Sequence, residues 1–474
     1  MSLVEVVRDV LRTALGAYRD QPATVRLLHR QLARLDEPLR VAIAGKVKAG
    51  KSTLLNALVG EAVAPTDAGE CTKVVTWYRD GPSPRIMLYP KEGAPLPLPV
   101  VRRDGALDIG LGGVPAEHVD RLLVDWPTRS LRHTTLIDTP GVASVNADTS
   151  ARTTRFLEPD DDTPTEADAV VYLMRHLHTA DAEFLESFRD QGVARATSVT
   201  TVAVLSRADE IGGGRVDAMF SARSIATRYR SEPALRGLCQ NVVAVAGLLA
   251  HTGRTLRQNE FAALTELAGR PRDELESALL SADRFQRVSA HPELLGRFGL
   301  FGVRLATSLI RQGTRAPNEL ADELVARSGL RDLQRVLATQ FGERRDVLKA
   351  RSALLALERV TRADDRGLGR HVDRILAGAH EFAELRLLGA LRSGAVPLPK
   401  PLVADAERLL GDAGAAPTAR LGLPPDARGP QLRQAALLAL RQWHGHAENP
   451  VFGRRATDAC RVLVRTCEGL VTES

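Results

Sequence analysis

Gly45-Lys46-Val47-Lys48-Ala49-Gly50-Lys51-Ser52 has the spacing G-x-x-x-x-G-K-S, and it stands between the apolar run Val41-Ala42-Ile43-Ala44 and the stretch Thr53-Leu54-Leu55-Asn56-Ala57-Leu58. A strand that turns through glycines into a helix aims successive backbone N–H groups inward and adds the partial positive charge of the helix start, which makes an anion cradle. The pattern predicts a nucleotide phosphate site at residues 45–53, with Lys51 on the β and γ phosphates and the Ser52 hydroxyl on Mg²⁺. Only 7 lysines occur in the chain, and Lys46, Lys48 and Lys51 are gathered here.

Motifs further along the chain select the nucleotide. Leu136-Ile137-Asp138-Thr139-Pro140-Gly141 places D-x-x-G at the end of an apolar run, so that Asp138 can hold the hydration shell of the metal and the Gly141 N–H can bond the γ-phosphate. Thr72, in Gly69-Glu70-Cys71-Thr72, sits in a loop where a threonine completes Mg²⁺ coordination; Thr66 is the alternative in that loop. The run 201–205 ends in Ser206-Arg207-Ala208-Asp209, which aligns with the N/T-K-x-D signature of guanine recognition. An aspartate there accepts from guanine N1–H and its 2-amino group, and adenine offers neither donor to a carboxylate that has left water. GTP or GDP with Mg²⁺ is therefore the predicted ligand. Ser206 is shorter than the usual Asn, and Arg207 replaces the usual Lys with another side chain able to stack on a ring. Ala246-Gly247-Leu248, after the apolar run 242–245, is placed to close over the base.

These residues need a scaffold. Strand-like runs at 41–44, 74–78, 120–125, 133–137, 169–174, 199–205 and 241–246 alternate with helical stretches, the pattern of an α/β phosphate-loop domain with a mostly parallel sheet flanked by helices. Beyond about 254 only helical periodicity remains, with one apolar stripe at Leu330, Leu333, Leu337, Phe341, Leu348 and Leu355 and another at Leu432, Ala436, Leu440 and Trp443. Residues 3–35 read as two amphipathic helices broken near Gln21-Pro22. The expected domains are N-terminal helices at 1–37 that fold back into a stalk, a nucleotide-binding head at 38–250, and an all-α bundle at 251–474.

Composition bounds the alternatives. A 44% hydrophobic and 4% aromatic content favours helices and small-residue packing. Residues 1–8 lack a basic region followed by an apolar one, and the longest stretch free of acid and base, 237–253, contains Gln240, Asn241 and His251; the expectation is a cytoplasmic protein. Cys71, Cys239, Cys460 and Cys467 have neither metal-site nor disulfide spacing and read as reduced. The formal charge of +6 comes from arginines scattered among acids, a solvated mixed surface on which nucleic acid is not an expected partner.

The motifs 45–53 and 138–141, the long span between Thr72 and Asp138, and the closing loop 244–250 resemble the dynamin superfamily, and within it the short bacterial dynamin-like GTPases such as the isoniazid-inducible proteins of actinobacteria. The resemblance covers roughly 38–250 in motifs and the rest in helical character. It implies GTP hydrolysis stimulated by head-to-head dimerisation, with itself or a related chain as partner, coupled to a helical stalk and to binding or remodelling of an anionic membrane from its inner face. It places Lys51 on the phosphates, Ser52 and Thr72 on Mg²⁺, and Gly141 on the γ-phosphate. Lys48 stands where the family often has a small polar residue, and its ammonium would lie near the bridging oxygen where charge develops. No Gln follows Gly141, so water positioning falls to backbone or Thr72, and slow basal turnover is expected.

A candidate lipid-binding tip is 385–402, where Leu387, Leu388, Leu391, Val396 and Leu398 alternate with Arg386, Arg392 and Lys400; a helix end and loop packed on the bundle is the other reading. A regulatory translation- or RNA-associated GTPase switch is the alternative function, and a non-hydrolysing partner head a third.

Overall fold

The computed structural model describes residues 2–66, 70–103, 105–141, 166–187 and 197–473. Nine strands form one sheet: β1 (Leu39–Gly45), β2 (Val75–Asp80), β3 (Arg85–Pro90), β4 (Leu96–Leu98), β7 (Val119–Trp126), β8 (Thr134–Asp138), β9 (Ala169–Met174), β10 (Thr201–Ser206) and β11 (Asn241–Val245), while β5 (Val101–Arg103) and β6 (Ala106–Asp108) make a separate hairpin. The sheet order is β11-β10-β9-β1-β8-β2-β7-β3-β4. Its first five strands are parallel, and β2 runs antiparallel to β8. The seven runs read from the sequence are all strands of this sheet. β3 and β4 were not expected, because Pro90 and Pro97 break their apolar pattern; they lie beyond β7 at the far edge, where proline is tolerated.

The parallel strands are buried on both faces, which is why they read as unbroken apolar runs. One face packs Ala42, Ala44, Tyr172, Ala203 and Ala244, and the other packs Val41, Ile43, Val171, Val202 and Val243. The core does not divide at residue 250. Phe261, Leu264, Phe298, Phe301, Leu305, Leu320 and Leu324 join the first face, and Leu330, Leu333, Phe341 and Leu348 join the second. Strand signals end near 250, but the helices up to the π-turn Ala338–Gly342 still bury their stripes on the sheet.

The remaining helices form two further clusters. The N-terminal helices α1 (Leu3–Ala17) and α2 (Pro22–Arg34) bury Val7, Val10, Leu11 and Leu28 against Ala350, Leu354, Leu357, Val372 and Phe382. Helices His380–Arg392, Gly429–Ala447 and Arg454–Glu473 share the last cluster. The candidate tip needs correction here: Leu385, Leu387, Leu388 and Leu391 are 7% exposed or less, and Val396, Leu398 and Leu402 pack against the same cluster. Their apolar spacing is that of a helix facing its bundle, so 385–402 turns these side chains inward instead of toward lipid.

Polar clasps fasten this frame. Arg34 Nη2 lies 2.8 Å from Asp168 Oδ1 in a buried pair, and the Arg40 N–H donates to Asp168 Oδ2 at 2.9 Å, so one carboxylate joins α2 to the starts of β1 and β9. Lys349 Nζ donates to the carbonyls of Leu35 and Glu37. Among the described residues the cysteines Cys239, Cys460 and Cys467 are buried and free.

Gly329, with φ +80°, passes under β11: a Cβ there would lie 2.1 Å from the Ala244 carbonyl oxygen, while the neighbouring Ser328 carbonyl accepts from the Ala246 N–H at 2.9 Å. Gly329→Ala should therefore cost at least about 2 kcal/mol in denaturant unfolding. Gly313→Ala, at φ +116° with open space around it, should cost about 1 kcal/mol from backbone strain alone. Equal losses at the two sites would contradict the packing of 328–330 beneath β11.

Candidate functional site

Because β11, β10, β9, β1 and β8 all run the same way, the loops that leave them emerge at one edge of the sheet. That edge is the ligand position of open α/β sheets. It collects 45–52 after β1, 139–141 after β8, 175–181 after β9, 206–210 after β10 and Ala246-Gly247 after β11. The sequence motifs, scattered over about 200 positions, are neighbours for this reason alone.

Gly45 has φ +146°, and a Cβ on it would meet the Leu173 carbonyl oxygen at 2.5 Å, so the turn out of β1 admits only glycine. Gly50, at φ +92°, starts helix α3 (Lys51–Val59) with no side-chain cap, which leaves the first N–H groups to a ligand. Lys51 Nζ donates to the carbonyls of Gly45 at 3.2 Å and Lys46 at 3.4 Å. Burial lowers the Lys51 pKa, against the pull of Asp138.

Ser52 Oγ donates to Asp138 Oδ2 at 2.8 Å, while Asp138 Oδ1 is buried with no hydrogen-bond partner. Burial raises the Asp138 pKa, and Lys51 and Ser52 oppose that rise. The Ser52 hydroxyl and the orphaned Asp138 carboxylate oxygen are hard oxygen donors of the kind that suit Mg²⁺, so this pair fits the ion. Gly141 closes the site from β8: a Cβ there would lie 2.5 Å from Val47 Cγ2 and 2.9 Å from Val47 Cα. Thr139 pins this turn through its hydroxyl to the Ile43 carbonyl at 2.9 Å. Thr72 is exposed in the turn Glu70–Lys73, which packs beside the turn Ala116–His118, four residues ahead of Thr76, the partner of Asp138 in the sheet.

The base end is continuous with this cradle. One pocket is lined by Ala49, Gly50, Thr53 and Leu54 on the phosphate side and by Ser206, Arg207, Asp209, Gly247 and Leu248 on the other. Asp209 is buried, and burial pushes its pKa up to about 6, with its own backbone N–H opposing. Ser206 turns its hydroxyl away, donating to the Met174 carbonyl at 3.2 Å, and Arg207 Nη1 donates to Glu210 Oε1 at 2.7 Å. Ala246 is fully buried, its N–H donating to the Ser328 carbonyl and its carbonyl accepting from the Ala250 N–H, and it does not line the pocket.

Sequence reasoning missed two contributors. Gly299 breaks the helix Glu293–Arg311 at φ +63°, and a Cβ there would lie 3.9 Å from Asp209 Oδ2. Asp181, in the first turn of helix Thr179–Ser187, pairs with Lys46 at 3.0 Å. Neither belongs to a local pattern. Among the described residues just two that are not glycine have positive φ, Lys48 at 62° and Arg207 at 51°. Backbone strain of this kind persists where function over-determines it. It falls here on the phosphate loop and on the base loop.

A sequence model of the dynamin family matches residues 41–92, from the start of β1 into the strands beyond the phosphate loop. The isoniazid-induced protein IniC of Mycobacterium tuberculosis is 43% identical over 492 aligned positions, which span 100% of this chain and 99% of IniC. The chain belongs to the dynamin family. The bacterial dynamin-like protein of Nostoc punctiforme is 43% identical to this dynamin-family chain over 54 residues, 11% of the chain and 8% of that protein. Among solved structures, a chain of an oligomerised bacterial dynamin pair described in the long-range sensing and tethering of membranes aligns over 100% of this chain and 79% of its own at 14% identity, with a TM-score of 0.34. The mostly parallel sheet with an all-helical C-terminal half is the arrangement expected from the sequence. Among the described residues no helix is long and apolar enough to cross a membrane.

A base-binding carboxylate accepts two hydrogen bonds only while it is ionised. Protonated Asp209 cannot accept both guanine donors, so GDP affinity should be level above about pH 6.5 and fall about tenfold per pH unit below 6. Asp209→Asn should bind GDP about a hundredfold more weakly at about pH 7.5 and lose this part of the pH dependence. Calorimetry on both proteins separates it from titration of the phosphate, which they share.

Proposed function

We propose that this chain binds and hydrolyses GTP with Mg²⁺, that hydrolysis is stimulated when two heads associate, and that the helical part transmits the nucleotide state to an anionic membrane surface. The observation that carries the reading is the single cleft running from the start of α3 to Asp209, with Ser52 and Asp138 beside it. A phosphate cradle alone would serve any nucleotide, and a buried carboxylate at the far end of the same cleft selects guanine.

In this reading Ser52 and Asp138 would hold Mg²⁺, which would supply neutralisation of phosphate charge. Lys51, which donates to the carbonyls of Gly45 and Lys46 and feels the charge of Asp138, would turn to the phosphates. The N–H groups at the start of α3 receive the phosphate oxygens. Gly141 brings its N–H against the loop at Val47, where no side chain fits between, and so registers the γ-phosphate. Lys48, exposed and held in a left-handed conformation, presents its ammonium at the mouth of the loop toward a bridging oxygen or an incoming head. Thr72 would complete the Mg²⁺ coordination.

The working division is a head made of the sheet with the helices up to the π-turn Ala338–Gly342, and a stalk made of 1–37 with the bundle after it. A cytoplasmic chain acting peripherally at the inner face of the membrane follows from this reading. Family membership and 43% identity to IniC across the chain support it over the RNA-associated switch.

GTP turnover should be measured against protein concentration, with and without anionic liposomes. The rate per molecule should rise with concentration and rise further on liposomes, and Ser52→Ala should abolish it. A rate flat in both variables would leave a simple switch. Absence of turnover under every condition would contradict hydrolysis.

A further inference from the structure

We infer that Lys46 is not a phosphate ligand but the counter-ion of the buried Asp181, and that this pair fixes the phosphate loop to the turn that follows β9. The Asp181 side chain is 1% exposed, and Lys46 Nζ lies 3.0 Å from its Oδ1. The same oxygen accepts from the Tyr172 hydroxyl at 2.7 Å, and Oδ2 accepts from the His178 N–H at 3.1 Å. The carboxylate thus has a neutral donor from β9, a backbone donor from its own turn and one cation from the phosphate loop.

Charge makes this arrangement consequential. An aspartate in a dry site next to a triphosphate cradle would repel the ligand, and a buried ion without its partner is costly to the fold. Lys46 removes both penalties, since its ammonium neutralises Asp181 before any nucleotide arrives. An ammonium committed there is not free for a phosphate, which separates Lys46 from Lys51 although both belong to one loop.

Position adds a second effect. The Lys46 carbonyl accepts from Lys51 Nζ at 3.4 Å, so the backbone of Lys46 is part of the cradle while its side chain is clamped outside it. Gly45, one residue earlier, lies in register with Leu173 of β9, and a Cβ there would strike the Leu173 carbonyl oxygen. The loop is therefore held twice, by β9 backbone at Gly45 and, at Lys46, by the carboxylate of Asp181 in the helix after β9, which Tyr172 of β9 anchors. Asp181 acts as a positioning residue for the 45–46 peptide and never touches the ligand.

This inference rests on the proposed nucleotide reading, and its test is a double-mutant cycle. Lys46→Met, Asp181→Asn and the double variant are compared with the parent for GDP affinity by calorimetry, for kcat and KM, and for thermal midpoint. Lys46→Met should weaken GDP binding at least about tenfold by leaving the carboxylate uncompensated. Asp181→Asn should bind GDP as tightly as the parent or more so, with kcat lowered, and the double variant should recover most of the affinity that Lys46→Met loses. A double variant as weak as Lys46→Met would make Lys46 a direct phosphate ligand and overturn the inference, as would additive losses. If the parent bound no guanine nucleotide, the nucleotide reading would fail, and the thermal midpoints of the same four proteins would still decide whether Lys46 and Asp181 act as one unit.

Discussion

Asp138 ends a buried strand with one carboxylate oxygen on the Ser52 hydroxyl and the other shut away without a partner. Taking such a charge out of water has to be answered by neighbours, and the neighbours present are Lys51 and Ser52. Much of the head follows from that constraint. Lys51 must start a helix within reach of Asp138, so Gly50 adopts a left-handed turn and Gly45 leaves β1 against β9. Gly141 must come up beside Val47 with no side chain of its own. The parallel pairing of β1 with β8 holds the two halves at one level, with Ile43 opposite Asp138.

The same matching of charge runs outward from the site. Asp181 is matched by Lys46 and Asp168 by Arg34 and the Arg40 N–H, so the acidic groups flanking β9 in sequence are compensated where they are buried. Asp168 directly precedes β9, and Asp181 lies in the first turn of the helix Thr179–Ser187 that follows it, bonded back to β9 through the Tyr172 hydroxyl. Asp181 faces the phosphate loop, and Asp168 faces α2 and through it the N-terminal helices packed on Arg345–Ala363. β9 therefore runs between two buried ion pairs, Arg34 with Asp168 before it and Lys46 with Asp181 in the helix after it.

How much of this could be read from sequence depends on the range of the interaction. Residues 45–52 and 138–141 declare themselves because the backbone conformations they need demand glycine at fixed spacing, and the parallel strands declare themselves because burial on both faces removes polar residues. Asp209 was legible from its place after β10. Asp181 and Gly299 were not, since each meets its partner across the fold and neither sits in a periodic or motif context. The roles given to Ser206 and Lys46 came from the motif alone; the structure engages the Ser206 hydroxyl with Met174 and the Lys46 ammonium with Asp181. The segment 385–402 misled for a related reason. An apolar stripe beside arginines looks alike whether it faces lipid or a bundle, and Leu388, fully buried, faces the bundle.

The central claim is that the cleft running from the Lys51, Ser52 and Asp138 group to Asp209 receives a metal-bound guanine triphosphate. Its most direct test is calorimetric titration of the intact chain with a non-hydrolysable GTP analogue and its adenine counterpart, each with Mg²⁺ and with excess chelator. Guanine should be preferred at least about a hundredfold, and Mg²⁺ should tighten guanine binding at least about tenfold. Equal affinity for the two bases, or binding indifferent to the metal, would contradict the account.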